Sequence, residues 1–434
     1  MKENKAKKII AILLGISACT NVVYAFQLNN TAVLISYVVS FVGIMYCTVC
    51  SKFKIRNFIK ETPIFLKLYL IVCMLSGVLI PISFGFDIEA FSTFIKGIIL
   101  LLSGYCIYVL VLNLKEELKY IIYGLLIGLI INILYSFLSL IAFNLNSYIT
   151  LYNLFPQRAF YMCIKWGISY GNFPKEYLLY SYRAQGLFLE ASHFTCFLIT
   201  ICLPVIISIK NKFFKLIFLI SVLYLTMISA TPNFIVLIIE FIVCYLISSH
   251  ISLKKNNKTI KSSSAFIFMF LIVLSMLILV NINKIGISKY ISNIDRAIET
   301  LNVSDKSNSQ RFDGMKLGLK YFLENPLGIG YNLEPYMFSK TIEGYSLKSS
   351  FSYMIRLLLE TGPLGLLSYV MLILNYVKMC FQKNKDKMQI ALGASCLFCM
   401  ISQFANGITM MPYIWLLFGI IQIYKDRRSQ NEIM

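Results

Sequence analysis

The chain has 434 residues, of which 58% are hydrophobic and only 14% charged, and its mean hydropathy is +0.74. Too little polar surface is available to coat a water-soluble globule, which excludes a soluble fold class. The net charge of +20 does not indicate a nucleic-acid binder either, because the basic residues stand in short runs between apolar stretches rather than on one patch.

The expected fold is all-α: a polytopic membrane protein of about 12 transmembrane helices with a large extracytoplasmic loop containing short helices, built as one integral membrane domain over residues 1–434. A basic leader precedes a first span at Lys8–Phe26, expected to be uncleaved although Val23-Tyr24-Ala25 and Ile16-Ser17-Ala18-Cys19 faintly resemble processing sites. Spans follow at Thr31–Cys50, Pro63–Ile82, Ser92–Leu112 and Tyr120–Phe143, with an acidic turn at Asp87 and Glu89 before the fourth. A first long outer loop occupies residues 144–183. The sixth to ninth spans are expected at Gly186–Ile209, Leu216–Ala230, Phe234–Ser249 and Ala265–Asn283, the seventh and eighth separated by Thr231-Pro232-Asn233, which breaks rather than extends a helix. The large outer loop spans residues 285–350, and three closing spans lie at Phe351–Val377, Gln389–Asn406 and Thr409–Tyr424.

Cytoplasmic loops accumulate Lys and Arg. With the N-terminus inside, about 24 basic residues fall on the inner side against about 13 in the much longer outer loops. The expected location is thus the cytoplasmic membrane, with both termini inside and both long loops outside, away from nucleotide sugars.

Ionisable groups within spans are functional candidates by default. They are Lys67, Lys96, Glu190, Glu240, Arg356 and Glu360, joined by His193. Lys67 can snorkel to the inner headgroups, and Lys96 can do the same at the outer face or point into a cavity. Arg356 and Glu360 stand four apart, on one helical face, where they can neutralise each other; a structural pair is the first reading. The cysteines lie almost wholly within spans and read as small packing residues, since neither Cys47/Cys50 nor Cys396/Cys399 has a second cluster at zinc-site spacing. No cofactor and no metal are expected.

Two stretches carry chemistry. Ser181-Tyr182-Arg183-Ala184-Gln185-Gly186-Leu187-Phe188-Leu189-Glu190-Ala191-Ser192-His193 brings a cation to the outer mouth of the sixth span, with Glu190 and His193 three apart and hence on one face. The set can hold an anion and offer a proton acceptor; alternatively it is an interfacial anchor with a satisfied Glu–His pair. In the large loop, Ser309 is expected to cap a helix whose stripe of Phe312, Met315, Leu319 and Phe322 rests on the membrane mouth, holding Arg311 at its anion-favouring start. The turn Asn325-Pro326-Leu327-Gly328-Ile329-Gly330-Tyr331 is ordinary turn chemistry and weak evidence for phosphate cradling.

These residues resemble a known family. Gln310–Tyr331, QRFDGMKLGLKYFLENPLGIGY, resembles the outer-loop signature of the O-antigen polymerase and O-antigen ligase family, in which an Arg opens a helix that ends in a Pro-Leu-x-Gly-x-Gly turn. Arg183–Glu190, RAQGLFLE, is similar to that family's other Arg segment, and Glu360-Thr361-Gly362-Pro363-Leu364-Gly365 to its E-x-G-x-x-G end. The ligases' His-Asn, about nine residues before that Glu, is replaced here by Phe351-Ser352, which favours a polymerase.

The resemblance implies glycosyl transfer on the outer leaflet from an undecaprenyl-pyrophosphate-linked oligosaccharide to a sugar hydroxyl. Arg183 and Arg311 would grip the pyrophosphate, Glu190 would be the base, and Lys96, His193, Arg356 and Glu360 would line the site. The bilayer, the lipid-linked sugar and other assembly proteins are the expected partners. A flippase for the same lipid-linked sugar is the competing reading.

Overall fold

The computed structural model describes residues 2–21, 23–28, 31–50, 61–144, 184, 186–188, 191–229, 234–253, 306–341, 349–378, 386–405 and 410–431. The expected ninth span, the first long loop beyond Asn144 and residues 285–305 and 342–348 of the large loop lie outside the described residues. In chain order the elements begin with α1 Lys2–Ser17, β1 Tyr24–Leu28, β2 Thr31–Leu34, α2 Ile35–Cys50 and α3 Ile64–Leu75, which runs through a 3-10 turn into α4 Ile80–Phe84. Then come α5 Ile88–Asn113, α6 Leu118–Asn144, α7 Ala191–Ser208, α8 Lys212–Ile228 and α9 Phe234–Leu253. Last are α10 Lys306–Glu324, α11 Glu334–Thr341, α12 Tyr353–Val377, α13 Lys387–Ala405 and α14 Pro412–Asn431.

The architecture is mostly helical, and among the described residues four helical stretches are long and apolar enough to cross a membrane: Ile64–Phe84, Ile88–Asn113, Lys115–Ile141 and Tyr353–Val377. Their surfaces have the polarity of a protein immersed in lipid. On α3 and its continuation, Ile64, Leu68, Ile71, Leu75, Val78 and Ile82 recur at helical spacing and are all exposed, an apolar stripe that a water-soluble helix would turn inward.

The chain start departs from the all-α expectation. The first span was expected to run to Phe26, but α1 stops at Ser17, and β1 pairs antiparallel with β2, Gln27 opposite Ala32, so the second helix begins only at Ile35. The physical cause is local composition: Val23, Tyr24, Phe26, Thr31 and Val33 are β-branched or aromatic, and Thr20 Oγ1 accepts from the Val23 amide at 3.2 Å just past the helix end. At 16 residues α2 is about 24 Å long, below the hydrocarbon thickness of about 30 Å.

Packing divides the chain into two compact units, one of Met1–Ile130, Lys306–Lys378 and Cys396–Met434, the other of Ile131–Asp305 and Met379–Ser395. In the first, α1 and α6 run the same way in close contact. A Cβ on Gly124 would lie 2.3 Å from the Ile12 carbonyl, and one on Gly15 2.4 Å from that of Ile121. Gly124 and Gly128 form a small-xxx-small pair, which lets backbones approach where apolar association alone gives no driving force. In the same unit α5 and α14 pack in parallel through Gly104 against Trp415 and Gly419 against Val111.

The expected tenth span is not one straight rod. Gly362 inside α12 has φ 68° and ψ −172°, followed by Pro363. A straight helix would separate Tyr353 and Tyr369 by about 24 Å, yet their rings lie 5.4 Å apart and both meet Tyr69. Tyr353–Thr361 therefore folds back on Pro363–Val377. Proline's missing amide and its clash with the preceding turn are the local cause, and glycine tolerates the left-handed backbone required.

Candidate functional site

The large-loop segments of the first unit close around that break. α10 ends at Glu324; the Asn325 amide bonds back to the Tyr321 and Phe322 carbonyls, and the Pro326–Tyr331 turn docks on α12. The Ile329 amide donates to the Leu359 carbonyl at 3.1 Å and that of Gly330 to the Glu360 carbonyl at 2.8 Å. Both φ angles that glycine alone adopts readily are present, 103° at Gly328 and 113° at Gly330. A Cβ on Gly328 would fall 2.8 Å from the Glu360 carbonyl oxygen, and one on Gly362 2.5 Å from that of Leu327. The glycines of the two segments thus serve each other.

This settles what the Gly-rich turn does. The Gly328 amide bonds Asn325, those of Ile329 and Gly330 bond α12, and that of Tyr331 bonds Ser76 Oγ at 2.9 Å. No amide from Gly328 to Tyr331 is left pointing outward, so the turn is a backbone clip and not a phosphate cradle.

Below the clip lies a buried charge cluster. Arg356 Nε donates to Glu360 Oε1 at 2.9 Å and stands 3.7 Å from Glu334 Oε2; Arg356 Nη2 donates to Asn332 Oδ1 at 2.9 Å. Both carboxylates are withdrawn from solvent, Glu334 at 0% and Glu360 at 1% exposure. Further donors surround them: the Glu334 amide to Glu360 Oε1 at 3.2 Å, and the Ser350 amide to Glu334 Oε1 at 2.6 Å. Asn332, with φ 67°, turns its Nδ2 to the Thr93 carbonyl of α5 at 3.0 Å and packs where only Gly97 leaves room. One guanidinium shared between two carboxylates holds α5, the turn and α12 together.

At the edge of this seat, α11 is tied to the start of α5. Asp87 caps α5 by accepting from the Glu89 and Ala90 amides, accepts from Tyr336 Oη at 2.5 Å and forms an ion pair with Lys340. Hydrogen bonds from Lys340 and then Tyr336 hold the Asp87 carboxyl well below the usual carboxylate range, and Asp87 holds the Lys340 amine above its ordinary value. Apolar packing of Ile80, Phe94, Tyr321, Ile329, Leu333 and Leu359 lies beneath.

The second unit carries the other segment. Asn132, fully buried in α6, accepts the Leu187 amide on Oδ1 at 2.8 Å. Gly186, at φ 51°, fits against it, since a Cβ would fall 2.6 Å from Asn132 Oδ1 and 2.5 Å from the Phe194 ring. Phe188 buries its ring against Phe194 and Phe197.

The expected site residues fall as follows. Arg183 and Glu190 lie outside the described residues, as does the side chain of Glu240. Arg311 is in α10, but that helix starts at Lys306, so Ser309 is not its cap and Arg311 is one and a half turns in, beyond the unpaired first amides. The expected stripe is also corrected: Phe322 is half-buried against the core, and Leu323 rather than Phe322 joins Leu319 on the exposed side. Lys96 is exposed between Ile95 and Ile99 on the apolar outer face of α5. His193 is half-buried in the first turn of α7. Arg356 and Glu360 form the expected pair.

Sequence reasoning passed over Glu334, Asn332 and Asn132. Glu334 begins a helix with Pro335 beside it, a legible helix start, but nothing in the sequence says that Arg356 meets it. The chain matches no protein-family model and no curated protein.

Proposed function

We propose that the chain is a membrane glycosyltransferase that polymerises lipid-linked oligosaccharide repeat units. It would transfer glycan from undecaprenyl pyrophosphate to a sugar hydroxyl at the outer face of the cytoplasmic membrane, in a bundle of about 12 spans with both termini inside. The observation that carries the proposal is the mutual fit of two of the segments on which the resemblance rests. Pro-Leu-Gly-Ile-Gly-Tyr and Glu-Thr-Gly-Pro-Leu-Gly, some thirty residues apart, meet glycine to glycine at Gly328 and Gly362. That clip fixes the C-terminal end of the helix bearing Arg311.

In this reading Arg183 and Arg311 hold the departing pyrophosphate, whose growing negative charge calls for fixed cations, and Glu190 takes the acceptor proton. Arg356 and Glu360 support the fold of the site instead of touching substrate, because their charges already answer one another. The bond to the lipid pyrophosphate supplies the driving force, and no nucleotide enters. The test is gel profiling of surface glycan from a deletion strain complemented with Arg311→Ala or Arg183→Ala: single repeats on the carrier without a ladder are expected, with normal membrane insertion. An unchanged ladder overturns the assignment.

A flippase for the same lipid-linked sugar keeps one observation in its favour, the broken helix with charges beside the break, a device of transporter sites. Loss of a flippase strands repeats on the inner leaflet, whereas loss of a polymerase leaves them outside.

A further inference from the structure

The described part of the large loop carries an exposed apolar ridge. α10 packs inward through Gly314 and Gly318, where a Cβ would fall 2.7 Å from the Ser349 carbonyl and 2.9 Å from Ile355, and through Tyr321 in the core. Its outer side is ordered. Going round the helix at 3.6 residues per turn, Leu319 and Leu323 come first, then Lys316 and Lys320, then Asp313 and Glu324, all exposed. Leu323 is 76% and Leu327 70% exposed, and Leu327 is clipped by its backbone to Gly362, two residues before Leu364, itself 69% exposed. The leucine row therefore continues onto the second limb of α12, where Leu364 and Leu367 are both exposed.

We propose that α10 and the turn after it seat in the headgroup layer of the phospholipid bilayer, with Leu319, Leu323 and Leu327 in the acyl region and Lys316 and Lys320 at the phosphates. The order leucine, lysine, acid round the helix matches the polarity met on rising from acyl chains through phosphate to water. Lysine beside leucine complements lipid phosphate, and continuity with Leu364 and Leu367 makes the ridge an extension of the lipid-facing surface. Water contact would leave the three leucines uncovered, and a protein partner would not call for lysines graded between apolar and acidic rows. The placement stands whether the chain is a polymerase or a flippase.

The test uses the full chain in nanodiscs of phosphatidylethanolamine and phosphatidylglycerol, with a fluorescent amino acid introduced singly at 323, 327 or 313. All three positions are exposed, so the label disturbs no core. At 323 and 327 emission should shift to the blue, and brominated acyl chains should quench severalfold more than iodide; at 313 iodide should quench more. Iodide quenching at 323 and 327 equal to that at 313 overturns the proposal. So does shielding from both quenchers, which means a cover of protein, and dilution of protein in lipid then distinguishes a second copy from a segment of the same chain. The double variant Leu323→Asp, Leu327→Asp, labelled at 319, should lose the blue shift, and retention of it counts against the proposal as well.

Discussion

Arg356 stands between two carboxylates that water does not reach, and this decides what its removal does. Arg356→Ala leaves Glu334 and Glu360 facing each other without a counter-charge, and should lower stability by about 3–5 kcal/mol, read as a large fall in the thermal midpoint of the detergent-solubilised protein. Glu334→Gln keeps an acceptor for the Ser350 amide and should cost only about 1–3 kcal/mol. Were Arg356 a substrate ligand instead, Arg356→Ala would abolish glycan transfer while leaving the midpoint near that of the parent. In the second unit, Asn132→Leu removes the acceptor of the half-buried Leu187 amide, with an expected loss of about 1–3 kcal/mol.

At the scale of elements, the break in α12 and the turn from α10 form one joint. Gly362→Ala and Gly328→Ala each put a Cβ onto a neighbouring backbone as well as straining a left-handed residue. Gly85→Ala, at φ 63° with nothing within 4 Å, meets the strain alone. The first two should therefore be the more damaging, each by about 1–3 kcal/mol, against about 1 for Gly85→Ala, and a thermal melt of the three variants orders them. The contact of α11 with α5 is tuned by pH. Asp87 has its carboxyl depressed in the fold, so its contribution is present above the ordinary carboxylate pKa of about 3.9 and fades as pH falls below it; Lys340 is raised, so its contribution is present below about 10.4 and fades above it. Cleavage within α11 by an added protease, followed by mass spectrometry, should be slowest between these limits and rise on acidification in the parent but not in Asp87→Asn, which has already lost the charge.

For the molecule as a whole, the prediction is the glycan pattern of the deletion strain: single repeats outside and no ladder. Apolar periodicity was enough to find most of the helices. Span edges expected at Ser92, Tyr120, Phe234 and Gln389 fall within a few residues of α5, α6, α9 and α13, because a stretch of that hydropathy has no other way to satisfy its backbone in lipid. It was not enough at Tyr24–Leu34 or Gly362. In the first, β-branched and aromatic residues tipped a hydrophobic run from helix to hairpin; in the second, total hydropathy concealed a reversal of direction.

The residues alone determined that the chain is an apolar, helical, membrane-compatible protein, since composition and the spacing of apolar residues act locally. They also marked Arg356 and Glu360 as a pair, because four residues on a helix is a fixed distance. Only the folded chain decided that Glu334 and Asn332 complete that cluster, that the glycines at 328 and 362 face each other, and that the amides of the Gly-rich turn are already bonded. Contacts between residues far apart in sequence depend on how helices cross, and a pattern that repeats every few residues carries no record of which crossing the chain adopts.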